Sequence, residues 1–168
     1  MKPVHQNHLL EILTRLSRAK VRYIVCGGVA VVLHGVERMT VDLDLALDFD
    51  PGNVKKFNAA IAGLGLMPRV PISPDFLMNG QQREVLIAEK NAVVFTFVDP
   101  DNPFRMVDVL LSADKSYNAL YKGSEIRRIG RVAVRIASKR QIIAMKKKVR
   151  PIRDKDRFDI KALQRVRP

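Results

Sequence analysis

A strictly alternating segment, residues 41–47, constrains the fold of this chain more than any other feature. Successive side chains of a β-strand point to opposite faces, so the valine and the leucines share one face while Asp42 and Asp44 share the other. The apolar face belongs in a core, which fixes the two carboxylates in place. The pattern predicts a strand that presents a rigid acidic pair. The same alternation is also typical of the solvated face of an edge strand.

Helical and strand patterns follow one another along the rest of the chain, which predicts an α/β fold. Ser138 with Gln141 forms a capping box, and Asp154 is expected to cap the last helix. Residues 67–82, which contain three prolines, are predicted to be an irregular connection. The predicted helices cover residues 8–19, 29–34, about 51–64, 138–148 and 155–166, and the predicted strands cover 22–26, 41–47, 84–88, 92–97, 105–110 and 131–136.

Length and composition indicate one globular domain, residues 1–168, with a core over about 20–137 and C-terminal helices over about 138–168. No apolar run approaches the ~20 residues that span a bilayer, and the N-terminus lacks a secretion signal, so we expect no membrane partner and a cytoplasmic location. The single cysteine, Cys26, excludes an internal disulfide, and its apolar neighbours predict burial.

The charge balance predicts an anionic partner. Thirty Lys and Arg residues against seventeen Asp and Glu residues give a formal net charge of +13. Such a surface attracts nucleic acid, nucleotides or an acidic protein. The basic residues are dense between positions 127 and 167, whereas acidic residues concentrate between 42 and 50. We expect a positive rim around an acidic centre.

A third acidic residue, Asp108, is the one charge in the apolar run Met106–Leu110. Asp42 and Asp44, about 7 Å apart along one strand, can converge on divalent cations. With Asp108 on a neighbouring strand, the three carboxylates would form a site for two Mg²⁺ ions that clamp a nucleoside triphosphate. Asp108 could also take the proton from an attacking hydroxyl.

Gly27 and Gly28 stand between a predicted strand and a predicted helix. A glycine pair at this position lets the backbone approach a phosphate closely. Alone it is weak, because glycine pairs are common in turns. Arg38 and Thr40 precede the acidic strand and either bind phosphate or brace Asp42. His34, on a short apolar helix, is expected to be structural.

The strings Val25–Ala30 and His34–Leu45 together resemble the signature of the polymerase-beta-like nucleotidyltransferase superfamily: a hydrophobic residue, Gly-Gly or Gly-Ser, a short helix, then Asp-hydrophobic-Asp or Glu. The fuller string is similar to the branch that contains AbiEii toxins and related minimal nucleotidyltransferases. Ile142–Lys146 and Arg153–Ile160 are similar to that branch's lysine and Lys-Asp motifs.

This resemblance implies the nucleotidyltransferase fold, an α/β (α+β) domain whose mixed sheet carries helices on one side and a C-terminal helical segment. It implies that Lys146 meets the nucleotide phosphates, that Asp156 supports the site and that Asp108 is the third carboxylate. The family often has serine after the first glycine. Gly28 stands there in this chain, so that hydroxyl contact to phosphate is missing.

The leading hypothesis is a Mg²⁺-dependent enzyme that transfers a nucleoside monophosphate from an NTP to a hydroxyl. The basic C-terminal half favours an RNA acceptor, such as a tRNA end, and the protein would then be the toxin of a pair with a cognate antitoxin. Two alternatives stay open: nucleotidylation of a small molecule, as in antibiotic-modifying relatives, and a catalytically silent nucleotide- or RNA-binding module.

Overall fold

The computed structural model describes residues 4–167, and these form a seven-stranded mixed sheet with helices. Its elements are α1 Val4–Arg18, β1 Tyr23–Cys26, α2 Gly27–Leu33, β2 Asp42–Leu47, α3 Pro51–Gly63, β3 Met67–Pro68, a 3₁₀ helix Pro74–Met78, α4 Gly80–Lys90, β4 Val94–Asp99, β5 Asn102–Leu110, a 3₁₀ helix Ala113–Lys115, α5 Tyr117–Tyr121, β6 Glu125–Ile129, β7 Val132–Ile136, α6 Lys139–Lys147 and α7 Asp154–Arg165.

The strand order is β3-β4-β5-β2-β1-β7-β6, so the acidic strand β2 is internal rather than at an edge. β2 runs parallel to β5 and antiparallel to β1, and β1 runs parallel to β7. The remaining neighbours pair as antiparallel strands. The predicted α/β class with a mixed sheet is therefore confirmed, and the edge-strand alternative for β2 is wrong.

The alternation of β2 has the predicted effect on burial. Leu43, Val107 and Phe97 lie in register across β2, β5 and β4, and at most 1% of each is exposed. Phe97 also makes edge-to-face contacts with Phe57 and Phe95. Burying such side chains contributes about 1.5–3 kcal/mol each. This apolar layer holds the three strands in the register that aligns the polar residues on their opposite face.

Local signals place several element ends correctly. Pro51 begins α3, and the Asp50 side chain accepts a hydrogen bond from the Asn53 backbone amide. The capping box of Ser138 and Gln141 is present and begins α6. α6 then packs against α2 and α7, which brings the C-terminal helices to the ends of the central strands.

Three expectations about local structure are wrong. Residues 84–88 belong to helix α4, whose start is capped by the Asn79 side chain, and not to a strand. The segment 67–82 contains β3, a 3₁₀ helix and the start of α4 instead of an irregular connection. Asp154 does not cap α7, because it is the first residue of that helix and Arg153 precedes it without a side-chain cap.

Three elements between β5 and β7 have no counterpart in the predictions, the first of which is the 3₁₀ helix Ala113–Lys115. α5 is a five-residue helix capped by Ser116, and β6 pairs with β7 across a turn at Gly130. β6 reads Glu-Ile-Arg-Arg-Ile, a charged strand whose hydrophobic pattern is too weak to stand out. Within residues 4–167, no helix combines the length and apolarity needed to cross a membrane.

Candidate active site

Polar side chains line up across three strands on the sheet face opposite the apolar layer. Asp44 of β2 is paired with Asp108 of the parallel strand β5, and Asp108 is paired with Thr96 of β4. The Thr96 hydroxyl donates a hydrogen bond of 2.5 Å to Asp108 Oδ1. Asp42 lies two residues before Asp44 and therefore shares this face. The register thus brings the three predicted carboxylates together.

Within this acidic row of Asp42, Asp44 and Asp108, the pKa values of Asp44 and Asp108 are raised. Burial, followed by the neighbouring charges of Asp108 and Asp42, raises the pKa of Asp44 to about 7, against the opposing effect of Lys146 and Lys155. Burial also raises the pKa of Asp108, and the Thr96 hydrogen bond partly offsets this. Clustered acids that repel one another in a partly buried site are stabilised by a cation.

Gly27 makes room for the acidic row. Its backbone φ of +59° is a conformation that favours glycine, and a Cβ placed there would overlap the Asp44 carboxylate. Gly27 and Gly28 are the first two residues of α2, directly after β1, whereas the sequence predicted a turn at this pair and a helix from position 29.

Gly28 leaves space for two other side chains. A Cβ at Gly28 would lie 2.5 Å from Thr40 Oγ1 and 3.1 Å from Arg38 Nη2. The Thr40 hydroxyl therefore occupies the volume that a serine side chain at position 28 would need. Thr40, in the segment that precedes β2, therefore supplies a hydroxyl at the point where a serine at position 28 would place one.

A layer of ion pairs forms the opposite side of the site. Lys146 Nζ lies 3.1 Å from Asp156 Oδ1 and 2.8 Å from Asp159 Oδ2. Arg38 Nη1 donates to Asp159 Oδ2 at 2.5 Å, and Arg153 Nε donates to Asp156 Oδ2 at 2.6 Å. Although burial acts in the other direction, the hydrogen bonds from Arg153 and Lys146 hold the pKa of Asp156 below its usual range.

These contacts identify the partners of basic residues whose roles the sequence left open. Arg38 pairs with Asp159. Of the adjacent lysines, Lys146 is the one held in the ion-pair layer, whereas Lys148 is mostly exposed and pairs with Asp114 at 3.2 Å.

The row and the layer face each other across one cleft of about 630 Å³. Asp114 and Lys115, which also line it, were not predicted from the sequence, and Arg153 and Lys155 were included only as members of the Arg153–Ile160 segment, without a role of their own. All nine predicted site residues line the cleft: Gly27, Gly28, Arg38, Thr40, Asp42, Asp44, Asp108, Lys146 and Asp156.

Metal coordination requires some adjustment of these side chains. Within residues 4–167, no group of three or more His, Cys, Asp or Glu side chains has the geometry of a metal site as it stands. The donor chemistry nevertheless fits Mg²⁺, which takes oxygen ligands and binds through one or two carboxylates plus substrate phosphates. Asp42 and Asp44 supply that pair, with Asp108 on the adjacent strand.

Two polar residues near the cleft have structural roles. His34 is buried, and its Nε2 lies 2.8 Å from the carbonyl oxygen of Ala137, directly after β7. This contact links α2 to the end of β7. Cys26 ends the buried strand β1, and burial raises the pKa of its thiol to about 12, so that it is not a nucleophile at neutral pH. The predicted burial of Cys26 is confirmed.

Comparison with known proteins identifies the fold. No family model matches the chain, and no curated protein matches it by sequence. The crystal structure of the lincosamide antibiotic adenylyltransferase LnuA, lincomycin-bound, matches with a TM-score of 0.65 at 18% identity, over 96% of this chain and 97% of that chain. The chain has the nucleotidyltransferase fold.

Two structures of the antibiotic-resistance factor ANT(2″)-Ia share this nucleotidyltransferase fold. Its solution structure gives a TM-score of 0.60 at 17% identity, over 94% of this chain and 80% of that chain. Its crystal structure with adenylyl-2″-tobramycin gives 0.59 at 16% identity, over 94% and 86%. These matches agree with the superfamily resemblance, and none of them is an AbiEii toxin.

The packing at Gly28 predicts a compensating pair of substitutions. Gly28→Ser places its side chain against the Thr40 hydroxyl, so the single variant should unfold at a lower temperature and bind NTP more weakly. Thr40→Ala vacates that volume, so the double variant should recover both properties relative to Gly28→Ser. Thermal denaturation and NTP titration measure the two effects. A double variant that is as impaired as Gly28→Ser would contradict the described packing.

The raised pKa of Asp44 predicts a pH-dependent gain in stability for Asp44→Asn without metal. Between about pH 4, the ordinary range of an aspartate, and pH 7, Asp44 is ionised in the unfolded chain and takes up a proton on folding, so the wild type loses stability as pH rises across this range. In EDTA, the variant should match the wild type near pH 4 and exceed it above pH 7. Urea denaturation at several pH values measures the difference, and a constant difference would refute the assignment.

Proposed function

We propose that this protein is a Mg²⁺-dependent nucleotidyltransferase that moves a nucleoside monophosphate from an NTP to a hydroxyl of a small molecule. The observation that carries the proposal is the pairing of Asp44 with Asp108 on adjacent parallel strands, at the floor of a cleft with a cationic wall. A metal-bound triphosphate needs both of these surfaces at once. The nucleotidyltransferase fold supports the same conclusion.

The carboxylate row would hold the metal. Asp42 and Asp44 would bind Mg²⁺ together with the triphosphate oxygens, and Asp108 would complete the site for a second ion. When bound, Mg²⁺ neutralises the charge that develops on the phosphate oxygens and on the pyrophosphate leaving group. The raised pKa of Asp44 supports this role, because a divalent cation replaces the missing counter-charge of the acidic cluster.

The opposite wall would receive the triphosphate. Arg38 and Lys146 place a guanidinium and an ammonium on the cleft, and the Thr40 hydroxyl stands beside Arg38 at Gly28. Charged groups of this kind bind phosphate oxygens through charge-assisted hydrogen bonds. Gly27 and Gly28 keep the adjacent backbone free of side chains, and Asp156 supports Lys146 from below.

Asp108 would act as the general base. One of its oxygens accepts the Thr96 hydrogen bond, and its raised pKa increases its affinity for a proton. In the transfer step the acceptor oxygen forms a bond to the α-phosphorus while the bond from that phosphorus to the β-phosphate bridging oxygen breaks. The hydroxyl proton passes to Asp108, and pyrophosphate leaves with the electron pair of the broken bond.

A small acceptor is the better-supported choice. LnuA was solved with lincomycin and ANT(2″)-Ia with adenylyl-2″-tobramycin, and the LnuA match extends over nearly the whole of both chains. The comparisons give no support to an RNA acceptor, to a toxin role or to an antitoxin partner. One observation keeps RNA as a second candidate, namely the net charge of +13, which attracts polyanions.

A labelling assay tests the proposal. The protein is incubated with Mg²⁺ and each of the four common NTPs carrying label on the α-phosphate, and with lincomycin, tobramycin or total RNA as acceptor. We expect transfer of label to a small acceptor, and a loss of at least about 100-fold in Asp44→Asn, because removing a metal ligand removes transition-state stabilisation.

Asp48→Asn is the matched control. Asp48 follows the same strand but pairs with Arg22 at 2.7 Å and does not line the cleft. We expect this variant to keep wild-type activity. Label on RNA alone would select the second candidate. Equal transfer by wild type and Asp44→Asn, or no transfer by the wild type to any acceptor, would overturn the proposal.

A further inference from the structure

Asp159 of α7 is a buried carboxylate that nothing in the signature assigns. Its exposed fraction is 0%, and it does not line the cleft. Its Oδ2 accepts from Arg38 Nη1 at 2.5 Å and lies 2.8 Å from Lys146 Nζ. One oxygen atom therefore holds two cations from distant parts of the chain.

The other oxygen of Asp159 indicates that fold stability alone does not explain this residue. Within residues 4–167, no group donates a hydrogen bond to Asp159 Oδ1, although that atom is buried. A buried acceptor without a partner costs about 1–3 kcal/mol. The described protein groups thus contact Asp159 through one oxygen, which binds both cations.

The contact orients Arg38 toward the cleft. With Nη1 bound to Asp159, the other terminal nitrogen, Nη2, lies 3.1 Å from the point that a Cβ of Gly28 would occupy. A guanidinium is planar and rigid, so fixing one nitrogen fixes the direction of the other. Arg38 Nη2 and Thr40 Oγ1 thus converge on one point beside Gly28.

Asp159 also limits the position of Lys146. The ammonium lies between Asp159 and Asp156, both of which are fully buried, and only 11% of the lysine side chain is exposed. A flexible lysine held by two fixed carboxylates loses little further rotamer entropy when it binds a ligand. The same two carboxylates leave an excess of positive charge on the wall, because they pair with three cations, Arg38, Lys146 and Arg153.

We propose that Asp159 is a positioning residue for nucleotide binding, which acts by holding Arg38 and Lys146 in one fixed arrangement on the phosphate side of the cleft. This inference rests on the proposed function, because it takes the triphosphate of an NTP as the ligand of that wall. Asp159 itself touches no part of the nucleotide. Its effect passes through Arg38 and Lys146.

Asp159→Asn tests the inference, because asparagine keeps the shape and one acceptor oxygen but removes the charge. Mg²⁺-NTP binding is measured by calorimetric titration, using the NTP that the wild type binds most tightly. We expect the Kd to rise about tenfold or more, in line with the loss of a charged hydrogen bond. Arg38→Met should show a similar rise. The double variant should be weaker than Arg38→Met by a smaller factor than Asp159→Asn produces in the wild type, because part of the effect of Asp159 passes through Arg38 and the rest through Lys146.

Asp99→Asn is the matched control. Asp99 pairs with Arg105 at 3.0 Å near the β4–β5 turn, is also largely buried and does not line the cleft. The Asp99→Asn variant should have a lower melting temperature than the wild type and a Kd for Mg²⁺-NTP within about twofold of the wild-type value. Should Asp159→Asn fail to fold, Asp159→Glu, which keeps the charge but moves it by one methylene, is measured in its place and should also weaken binding.

The outcomes separate the two claims. If the wild type binds Mg²⁺-NTP and the Asp159 variant behaves like Asp99→Asn, or if the effects of Asp159→Asn and Arg38→Met on Kd are additive, Asp159 is merely structural. The inference is then wrong, and the proposed function stands. If the wild type binds no NTP at all, the proposed function fails, and this inference fails with it.

Discussion

The acidic row on β2 and β5 is the constraint to which the rest of the site conforms. Asp44 and Asp108 face each other across parallel strands with Asp42 beside them, and burial together with the neighbouring carboxylates raises the pKa of Asp44 and of Asp108. The apolar layer on the other face of the sheet holds the strands in this register. Because Gly27 has no side chain, the Asp44 carboxylate has room beside it.

Carboxylates have two different tasks in this protein. Those of the row line the cleft and form no ion pair within the described part of the chain, which suits them to bind metal. Asp156 and Asp159 are fully buried and are paired with cations that line the cleft. Buried charges are tolerated when they are paired in this way. α7 therefore fixes the cationic wall, and its residues Lys155 and Asp156 line the cleft as well.

Sequence patterns predicted those structural features that depend on residues close together in the chain. The alternation of residues 41–47 gave β2, and Ser138 with Gln141 gave the start of α6, because each signal lies within a few residues. The prediction that the site residues share one cleft rested on the family resemblance, because the pairing of β2 with β5 joins segments that are far apart in the chain. Asp159 was missed because Arg38 is 121 residues away, although its spacing from Asp156 places both on one helix face. Weakly patterned β6 was missed for a different reason, since its pairing with β7 stabilises it.

The most direct test of metal binding by the acidic row is a crystal structure of the protein with Mn²⁺ and a non-hydrolysable NTP analogue, in which anomalous scattering locates the metal. We expect Mn²⁺ bound by Asp42 and Asp44, with the triphosphate between the metal and the wall of Arg38 and Lys146. The same crystals of Asp44→Asn should lack the metal peak. A triphosphate bound outside this cleft, or Mn²⁺ that does not contact the acidic row, would contradict this expectation.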